Sequence, residues 1–401
     1  MKKSLLALAF GTFGLGVSEF VMMGILPYMA SDFNVSISQA GGLISAYALG
    51  VCFGAPLVAI FARKWPLKRI LYLLLAIFTI SSLAMALCPL PGEGTQTGWQ
   101  FLLMKFFRFC VGTPHGAFFG VSAVVADRLS EKGNAAFSVA LVCSGMTVAN
   151  LIGNPLCTFV TSVLTWRYIF AFNAVWGAFT LLCISRWIPR MDGLPDHGLK
   201  AEFHFLKTLP PWIIFACTAF GNCGIFCWYS YISPTLTQLA GIPEAMMTLM
   251  IVLAGAGMFV GNLCGGKLSD RFGPGHAGRG IEIVMFIALI LTAFTTHHAY
   301  CAVPLMILCT TCLFAVSSPQ QLLMVRFSEG GELMGGAMVQ IGFNLGNAIG
   351  AWAGGLTINE AEPFTYHYPA AVGAAFIALG VISYFILCHK YERKENLISN
   401  K

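Results

Sequence analysis

The chain has 401 residues, of which 57% are hydrophobic and 10% are charged, and its mean hydropathy is +0.76. Soluble domains carry about 25% charged residues, so these values exclude a soluble domain of average composition. The formal net charge of +6 reflects basic loops and does not indicate a nucleic-acid partner. We therefore expect an integral membrane protein whose surroundings are the lipid bilayer.

Apolar segments between charged or Pro/Gly-rich stretches are long enough, or nearly so, to cross a bilayer as helices. A closed barrel is disfavoured, because barrel strands alternate apolar and polar residues whereas these segments are continuously apolar. The sequence therefore predicts an all-α integral membrane protein with twelve transmembrane helices. The predicted spans are 4–29, 38–62, 68–88, 99–125, 135–161, 168–188, 211–233, 245–265, 281–297, 301–325, 333–358 and 367–388.

The basic residues predict the orientation of the chain. Most Lys and Arg residues fall in loops on the side that holds both termini, and the opposite side carries Arg167. Because short cytoplasmic loops are enriched in Lys and Arg, we expect both termini in the cytoplasm. The expected location is a plasma membrane, which in a bacterium is the inner membrane.

The cysteines give no sign of a metal site or a disulfide framework. The 14 cysteines lie mostly inside apolar segments without paired metal-ligand spacing, and only Cys88 and Cys301 approach the outer face. No nucleophile pattern and no P-loop is present in the sequence, so we expect neither an enzyme nor a protein driven by ATP. No cofactor is expected.

An internal repeat relates the two halves of the sequence. Sliding one half along the other pairs Gly14 with Gly221, Pro27 with Pro234, Gly50 with Gly257, Gly54 with Gly261, Pro114 with Pro319, Gly145 with Gly342, Asn150 with Asn347 and Gly153 with Gly350. Matching Gly and Pro residues indicate matching close contacts and kinks, so we predict two pseudo-symmetric six-helix bundles. The predicted domains are an N-terminal bundle at 1–188, a cytoplasmic central loop at 189–210, and a C-terminal bundle at 211–401 with a short cytoplasmic tail.

The fourth span carries polar residues on one face. Lys105, Arg108, Gly112 and His115 are three or four residues apart, which places them on one stripe of a helix. An ionised group near the bilayer centre costs roughly 2.5 to 3.5 kcal/mol, so this stripe needs a wet cavity or a counter-charge. Glu19 is the only acid that we place deep in another span, at about the depth of Arg108.

These residues are the predicted proton-coupling group. A buried carboxyl favours its neutral form alone and its ionised form beside Arg108, so a conformational change can switch the proton occupancy of Glu19. Arg108 stays charged and sets the local field. His115 relays a proton, binds substrate, or is simply a hydrogen-bonded structural residue. The alternative for Glu19 and Arg108 is a permanent structural ion pair.

In the second half, the repeat places Phe226, Leu313 and Gln320 at the positions of Glu19, Arg108 and His115. We therefore expect the charge chemistry in the first half alone, and no charged residue deep in a span of the second half. Substrate-binding candidates are Lys105, Asn222, Trp228, Tyr229, Tyr231, Gln320, Gln321, Gln340 and Asn344. The alternative for the second-half residues is helix-helix contact or an interfacial aromatic belt.

The loop after the eighth span has the sequence Gly266-Lys-Leu-Ser-Asp270-Arg271-Phe-Gly273. It is similar to the G-x-L-S-D-R-x-G loop of the major facilitator superfamily, and the resemblance covers all twelve spans. The first-half copy departs from this pattern, with Arg63 in place of the aspartate. The resemblance implies a gating role for Gly266, Asp270, Arg271 and Gly273, with Arg63 as the unmatched counterpart.

Two further motifs are similar to those of the drug:proton antiporter branch with twelve spans. Arg108-Phe-Cys-Val-Gly112 resembles the R-x-x-x-G motif of proton-coupled members. The fifth span resembles a glycine-rich motif of that branch, with departures at several positions, and the alternative is helix packing without a role in transport. The helix-packing residues are predicted to be Gly112, Gly145, Asn150, Gly153 and Pro155.

Segments around Glu19, around His115 and at Trp166–Phe170 resemble an arabinose-efflux permease-like subgroup. The resemblance implies a secondary active transmembrane transporter, proton-coupled, that exports a small polar or amphipathic molecule (a sugar or a drug) by alternating access, as a functional monomer. Alternatives are a sugar uniporter or symporter, or a membrane receptor that does not transport. A channel is disfavoured because the charged site is single.

The orientation gives a first prediction. A thiol reagent that cannot cross the membrane should label a cysteine introduced at Glu93 in intact cells, but not one introduced at Lys200, because only the loops opposite the termini face outward. The unmodified protein provides the blank for the native cysteines. The reverse labelling pattern would overturn the orientation.

Overall fold

The computed structural model describes residues 2–62, 65–91, 98–129, 135–191, 193, 204–328 and 332–392. Within these ranges the chain forms helices and turns and no strand, which confirms the predicted all-α fold. Eleven helices in the described residues are long and apolar enough to cross a membrane. Glu93, Lys200 and half of the predicted central loop lie outside the described residues.

The long helices follow the predicted spans. Those of the first half are α1 (Lys2–Asp32), α2 (Ile37–Phe61), α3 (Leu67–Ala86), α4 (Trp99–Arg128), α5 (Ala135–Val148 and Asn154–Val163, joined by a π-helical turn) and α6 (Arg167–Trp187). Those of the second half are α7 (Leu209–Tyr229), α8 (Met247–Phe272), α9 (Pro274–Thr295), α10 (Ala299–Ala315 and Ser317–Arg326), α11 (Glu332–Gly355) and α12 (Tyr368–Leu387).

One of these helices, α11, is less apolar than the other spans. It carries the amide side chains of Gln340, Asn344 and Asn347 together with several glycines, and these residues lower its mean hydropathy. It is therefore absent from the eleven apolar spans, although it is as long as they are. A helix of this composition can lie in a membrane where other helices cover its polar face.

The described residues form two compact units. The first comprises those of Met1–Asp196 with Met247–Val252, and the second those of His197–Met246 with Leu253–Lys401. In the first unit α1 packs against α5, and α3 against α6. In the second unit the helices that the repeat makes equivalent pack the same way, α7 against α11 and α9 against α12. The sequence repeat is thus also a repeat of helix contacts.

Glycines that match in the repeat occupy matching contacts. A methyl group on Gly54 of α2 would collide with the carbonyl of Thr113 of α4. A methyl group on Gly261 of α8 would collide with the carbonyl of Thr311 of α10. Because the helix backbones touch at these points, each pair can approach this closely only where the side chain is a hydrogen atom.

Prolines that match in the repeat have different effects. Pro27 and Pro114 lie inside the continuous helices α1 and α4. In the second half, α7 ends at Tyr229 shortly before Pro234, and α10 breaks at Val316 shortly before Pro319. Proline lacks the N–H that bonds to the preceding turn and crowds the carbonyl four residues earlier, which accounts for both breaks. The predicted seventh and tenth spans, 211–233 and 301–325, therefore each contain a break near their matching proline.

The glycine contacts generate a stability prediction. Gly54→Ala and Gly261→Ala should each destabilise the protein, because an added methyl group forces two packed backbones apart at a cost of about 1 to 3 kcal/mol. The measurement is the midpoint of thermal unfolding in detergent.

Gly120→Ala in α4 is the matched control, since a methyl group there meets no atom within 4 Å among the described residues. Replacing a glycine in a helix interior by alanine stabilises by roughly 0.5 to 1 kcal/mol, so its midpoint should not fall. Equal midpoints for all three variants would contradict the close approach of the helices.

Candidate functional site

Four polar side chains of the first unit meet inside the bundle. Glu19 comes from α1, Tyr47 from α2, and Arg108 and His115 from α4. The exposed fractions of the three ionisable residues are 3% for Glu19, 0% for Arg108 and 1% for His115. Arg108 and His115 are two helical turns apart, so the spacing that the sequence shows brings both to one face of α4.

Arg108 is held mainly by backbone carbonyl groups. Its Nε donates to the Leu43 oxygen of α2 at 3.2 Å, and its Nη1 donates to the Ser18 oxygen of α1 at 2.8 Å. The guanidinium lies 4.5 Å from the centre of the Tyr47 ring. Charge-assisted hydrogen bonds and a cation-π contact stabilise the charge without a carboxylate. Arg108 therefore ties three helices together.

Glu19 makes no ion pair with Arg108 within the described parts of the chain. Its nearest ionisable neighbour is His115, whose Nε2 lies 3.6 Å from Glu19 Oε2. Neither carboxyl oxygen accepts a hydrogen bond from the described residues. The two predicted partners thus share a cluster, but the structure shows no direct pairing of their charges.

His115 connects the two sides of this cluster through Tyr47. The Tyr47 hydroxyl lies 2.8 Å from His115 Nδ1 and 3.3 Å from the Leu15 carbonyl oxygen. The hydroxyl has one proton, so it donates either to the carbonyl or to the imidazole. In the first case His115 Nδ1–H donates to Tyr47 and Nε2 offers a lone pair to Glu19. In the second case Nε2 carries the proton that faces Glu19.

The remaining predicted residues of α4 have other surroundings. Lys105 is half-buried, and its Nζ lies 4.6 Å from the centre of the Phe101 ring and against Gly42. It makes no ion pair with a described carboxylate. A methyl group on Gly112 would collide with the Tyr47 carbonyl, so this glycine lies at the contact between α4 and α2.

The glycine-rich motif of α5 lies along α1. A methyl group on Gly145 would collide with an α1 carbonyl, and one on Gly153 would lie 2.8 Å from an α1 valine methyl. Ala149–Gly153 forms the π-helical turn, with Asn150 buried inside it and Pro155 just beyond it. Inserted π-helical turns occur where the regular hydrogen-bond ladder is interrupted, here next to a proline.

Three second-half candidates are engaged in contacts with their own bundle. Asn222 Nδ2 donates to the Thr218 carbonyl at 2.8 Å, one turn earlier in α7. The Tyr231 hydroxyl donates to the Ala351 carbonyl of α11 at 2.5 Å. Asn344 Nδ2 donates to a carbonyl of its own helix at 3.1 Å. The amide oxygens of Asn222 and Asn344 accept no hydrogen bond from the described residues.

The other candidates differ in exposure. Trp228, Tyr229 and Gln320 are buried, Gln340 is half-buried, and Gln321 is exposed. The Trp228 indole N–H has no hydrogen-bond acceptor among the described residues. The candidates therefore differ in their exposure, and Gln321 is the most accessible of them.

Glu282 corrects the expectation that the second half holds no deeply buried charge. It lies in α9 with an exposed fraction of 0%, and Gln320 Nε2 is 3.5 Å from its Oε1. The predicted ninth span placed Glu282 at the span boundary. The helix instead begins at Pro274, because Gly273, with φ 80° and ψ 150°, ends α8 in a backbone conformation that favours glycine and lets α9 start at once.

A signal for this residue was present in the sequence. Gly278, Met285 and Leu289 lie four, three and seven residues from Glu282, and all of them are buried. Glu282 therefore occupies the buried stripe of an apolar helix, and its place inside a continuously apolar segment was the signal.

The loop motif lies at the end of α8. Asp270 is exposed and Gly273 has the positive φ. The Arg271 guanidinium lies 5.2 Å from the centre of the adjacent Phe272 ring. Gly266 is half-buried. Arg63 lies outside the described residues, and the gating role of the motif stays a prediction.

Comparison with known proteins decides the family. The model of the Major Facilitator Superfamily matches residues 8–336. The chain belongs to this superfamily. It is 38% identical over 395 residues to the putative transporter AraJ of Escherichia coli K12, covering 98% of this chain and 97% of AraJ. The family confirms the predicted membership, and its members are transporters rather than enzymes.

Other relatives and solved structures agree. YdhP, an inner membrane transport protein of Escherichia coli K12, is 33% identical over 96% of each chain, and a chloramphenicol resistance protein of Streptomyces lividans is 27% identical over 90% of each chain. A D-xylose-proton symporter has a TM-score of 0.72 at 14% identity, covering 96% of each chain. The nucleoside transporter NupG has a TM-score of 0.73 at 14% identity, covering 96% of this chain and 98% of NupG. These structures support the twelve-helix fold.

The bonding of Arg108 gives a prediction for this superfamily member. Arg108→Lys should destabilise the protein by about 1.5 to 3 kcal/mol, because one ammonium group cannot reproduce both carbonyl bonds and the ring contact of a planar guanidinium. The measurement is the thermal unfolding midpoint in detergent, with Arg186→Lys at the exposed end of α6 as the control. An unchanged midpoint for Arg108→Lys would show that the two carbonyl bonds do not hold the helices.

Proposed function

We propose that the protein is a secondary transporter that couples proton movement to the efflux of a small polar or amphipathic molecule by alternating access. The observation that carries the proposal is the state of Glu19, a buried carboxyl group without a hydrogen bond and without an ion pair to Arg108. An ionised carboxylate in such a place is costly, whereas a protonated one is neutral. The functional unit that we propose is a monomer with both termini in the cytoplasm.

The cluster supports a cycle of proton binding and release at Glu19. When Glu19 carries a proton, Arg108 remains stabilised by the Ser18 and Leu43 carbonyl groups, so the guanidinium does not depend on a carboxylate. When the proton leaves, Glu19 is negatively charged and partly offsets the positive charge of Arg108. His115 Nε2 lies 3.6 Å from Glu19 Oε2, so in the tautomer with a lone pair on Nε2 the imidazole can take up the proton that Glu19 releases and later return it.

Polar groups without partners support a substrate that has hydrogen-bonding groups. The amide oxygens of Asn222 and Asn344 and the indole N–H of Trp228 are buried and make no hydrogen bond to the described residues. A buried polar group without a partner costs about 1 to 3 kcal/mol, which a polar substrate would recover on binding. The aromatic ring of Trp228 would contact the apolar part of the same molecule.

The names of the relatives support export rather than uptake. One relative is named a chloramphenicol resistance protein, and export of a compound is one way in which a membrane transporter can protect a cell from it. Sugars remain in the proposed substrate class beside amphipathic drugs. The direction and the substrate class are both open to a direct measurement.

The test uses purified protein in proteoliposomes that contain a pH-sensitive dye, with a library of pentoses, hexoses and amphipathic antimicrobial compounds. For a transported compound, Glu19→Gln should abolish gradient-driven movement, because glutamine cannot release a proton. The same variant should keep exchange of labelled for unlabelled compound at a measurable rate, because exchange needs no net proton movement.

The control for this measurement is Glu244→Gln, which removes an exposed carboxyl group ahead of α8 and should transport as the wild type does. Full gradient-driven transport by Glu19→Gln would show that Glu19 is not the proton carrier. A wild-type protein that moves none of the compounds and no protons with them would contradict the proposed function.

A further inference from the structure

The second unit holds a buried carboxyl group that the proposed function does not use. Glu282 lies about 12 Å along α9 from Pro274, at a rise of 1.5 Å per residue. Its Oε1 is 3.5 Å from Gln320 Nε2, the outer limit of a weak hydrogen bond, and its Oε2 has no partner among the described residues. An ionised carboxylate would therefore be stabilised there by one long amide contact alone.

Two glycines enclose this carboxyl group. A methyl group on Gly221 of α7 would collide with Glu282 Oε1, and one on Gly380 of α12 would lie 2.5 Å from Oε2. The backbones of two helices therefore lie directly against the carboxyl oxygens. Neither glycine side offers space for the side chain of a cation.

In the first unit the equivalent slot, the space between two glycines of α1 and α6, is filled without a carboxyl group. There the ring of Phe78 on α3 lies against Gly14 of α1 and Gly177 of α6, at 3.3 Å and 3.0 Å from methyl groups placed on these glycines. The repeat aligns Gly14 with Gly221, and α3 and α6 with α9 and α12. Because an apolar ring fills the slot in one unit, the carboxyl group in the other is not required for packing.

The groups around Glu282 supply no positive charge. Cys217 of α7, Tyr384 of α12 and Cys388 just after α12 are the titratable groups near it in the described residues, and a thiol or a phenol carries no positive charge in either protonation state. Arg279 lies one turn earlier in α9, but its guanidinium lies 4.9 Å from the centre of the Phe385 ring and makes no ion pair with Glu282. From α10 the carboxyl group faces the uncharged amide of Gln320.

We propose that Glu282 is a second proton-binding site, located in the second unit and positioned by Gln320 and Tyr384. Gln320 donates to Oε1, so the bound proton resides on Oε2, the oxygen without a partner. The Tyr384 hydroxyl is buried beside Gln320 and Glu282, so it is a polar group that can pair with the acid. Deprotonation transfers the proton to water when this part of the bundle opens. The contribution of this site to transport rests on the proposed function, whereas its protonation does not.

Infrared spectroscopy of the purified protein tests the proposal directly. A carbonyl stretch of protonated carboxyl groups should be present at neutral pH, and its Glu282 component should be lost in Glu282→Gln but retained in Glu19→Gln and in the exposed control Glu244→Gln. The same band should shift in heavy water and disappear as the pH is raised, because the proposed site exchanges its proton. Absence of a band that depends on Glu282, or a band that neither exchanges nor titrates, overturns the proposal.

A second variant keeps the test valid if Glu282→Gln does not fold. Gln320→Met retains the carboxyl group and removes the donor to Oε1, so the carbonyl band should move to higher frequency. An unchanged frequency would show that the band does not belong to Glu282. Because these measurements need no substrate, they remain decisive even if Glu19→Gln retains full transport and the proposed coupling at Glu19 fails.

Discussion

The burial of one guanidinium charge constrains the first unit more than any other interaction. Arg108 is fully buried, and an unpaired charge in an apolar interior costs several kcal/mol even after the surroundings relax. The chain stabilises the charge with carbonyl groups of α1 and α2 and with the face of Tyr47. Each of these partners lies on a different helix from Arg108, so the charge is stable only while α1, α2 and α4 keep their present spacing. Gly54 and Gly112 permit that spacing, because any side chain at either position would separate α2 from α4.

This arrangement leaves the acidic residue of the cluster without a fixed partner. If Arg108 were paired with Glu19, the carboxylate would be locked in its ionised form. Because carbonyl groups hold Arg108, Glu19 can gain or lose a proton without leaving the arginine unpaired. The Tyr47 hydroxyl orients His115, so the imidazole presents either a proton or a lone pair to Glu19 according to its tautomer. Arg108 thus holds three helices together, whereas Glu19 is the residue that we propose to bind and release protons.

The sequence shows most of the fold, because apolar length and the Gly and Pro repeat depend on local composition. It also shows Glu19, Arg108 and His115, because charges at helical spacing inside apolar segments are rare. Tyr47 could not be found this way, since a tyrosine in an apolar segment looks like any packing aromatic residue. The carbonyl ligands of Arg108 have no side-chain signature at all. Glu282 was missed because the predicted span began at residue 281, which placed the acid at the span boundary, whereas the helix begins at Pro274.

The two units show how one packing scheme accommodates different chemistry. The slot formed by two glycines and a third helix holds Phe78 in the first unit and Glu282 in the second, while the position of His115 in α4 is taken by Gln320 in α10. Each unit thus brings one carboxyl group next to the same repeat position, but the carboxyl group comes from α1 in one case and from α9 in the other. His115 can accept a proton and Gln320 cannot, so of these two neighbours only His115 could take up the proton of the acid beside it. In the second unit Gln320 can only hydrogen-bond the acid, so the proton-binding site that we propose at Glu282 would have to exchange its proton with water.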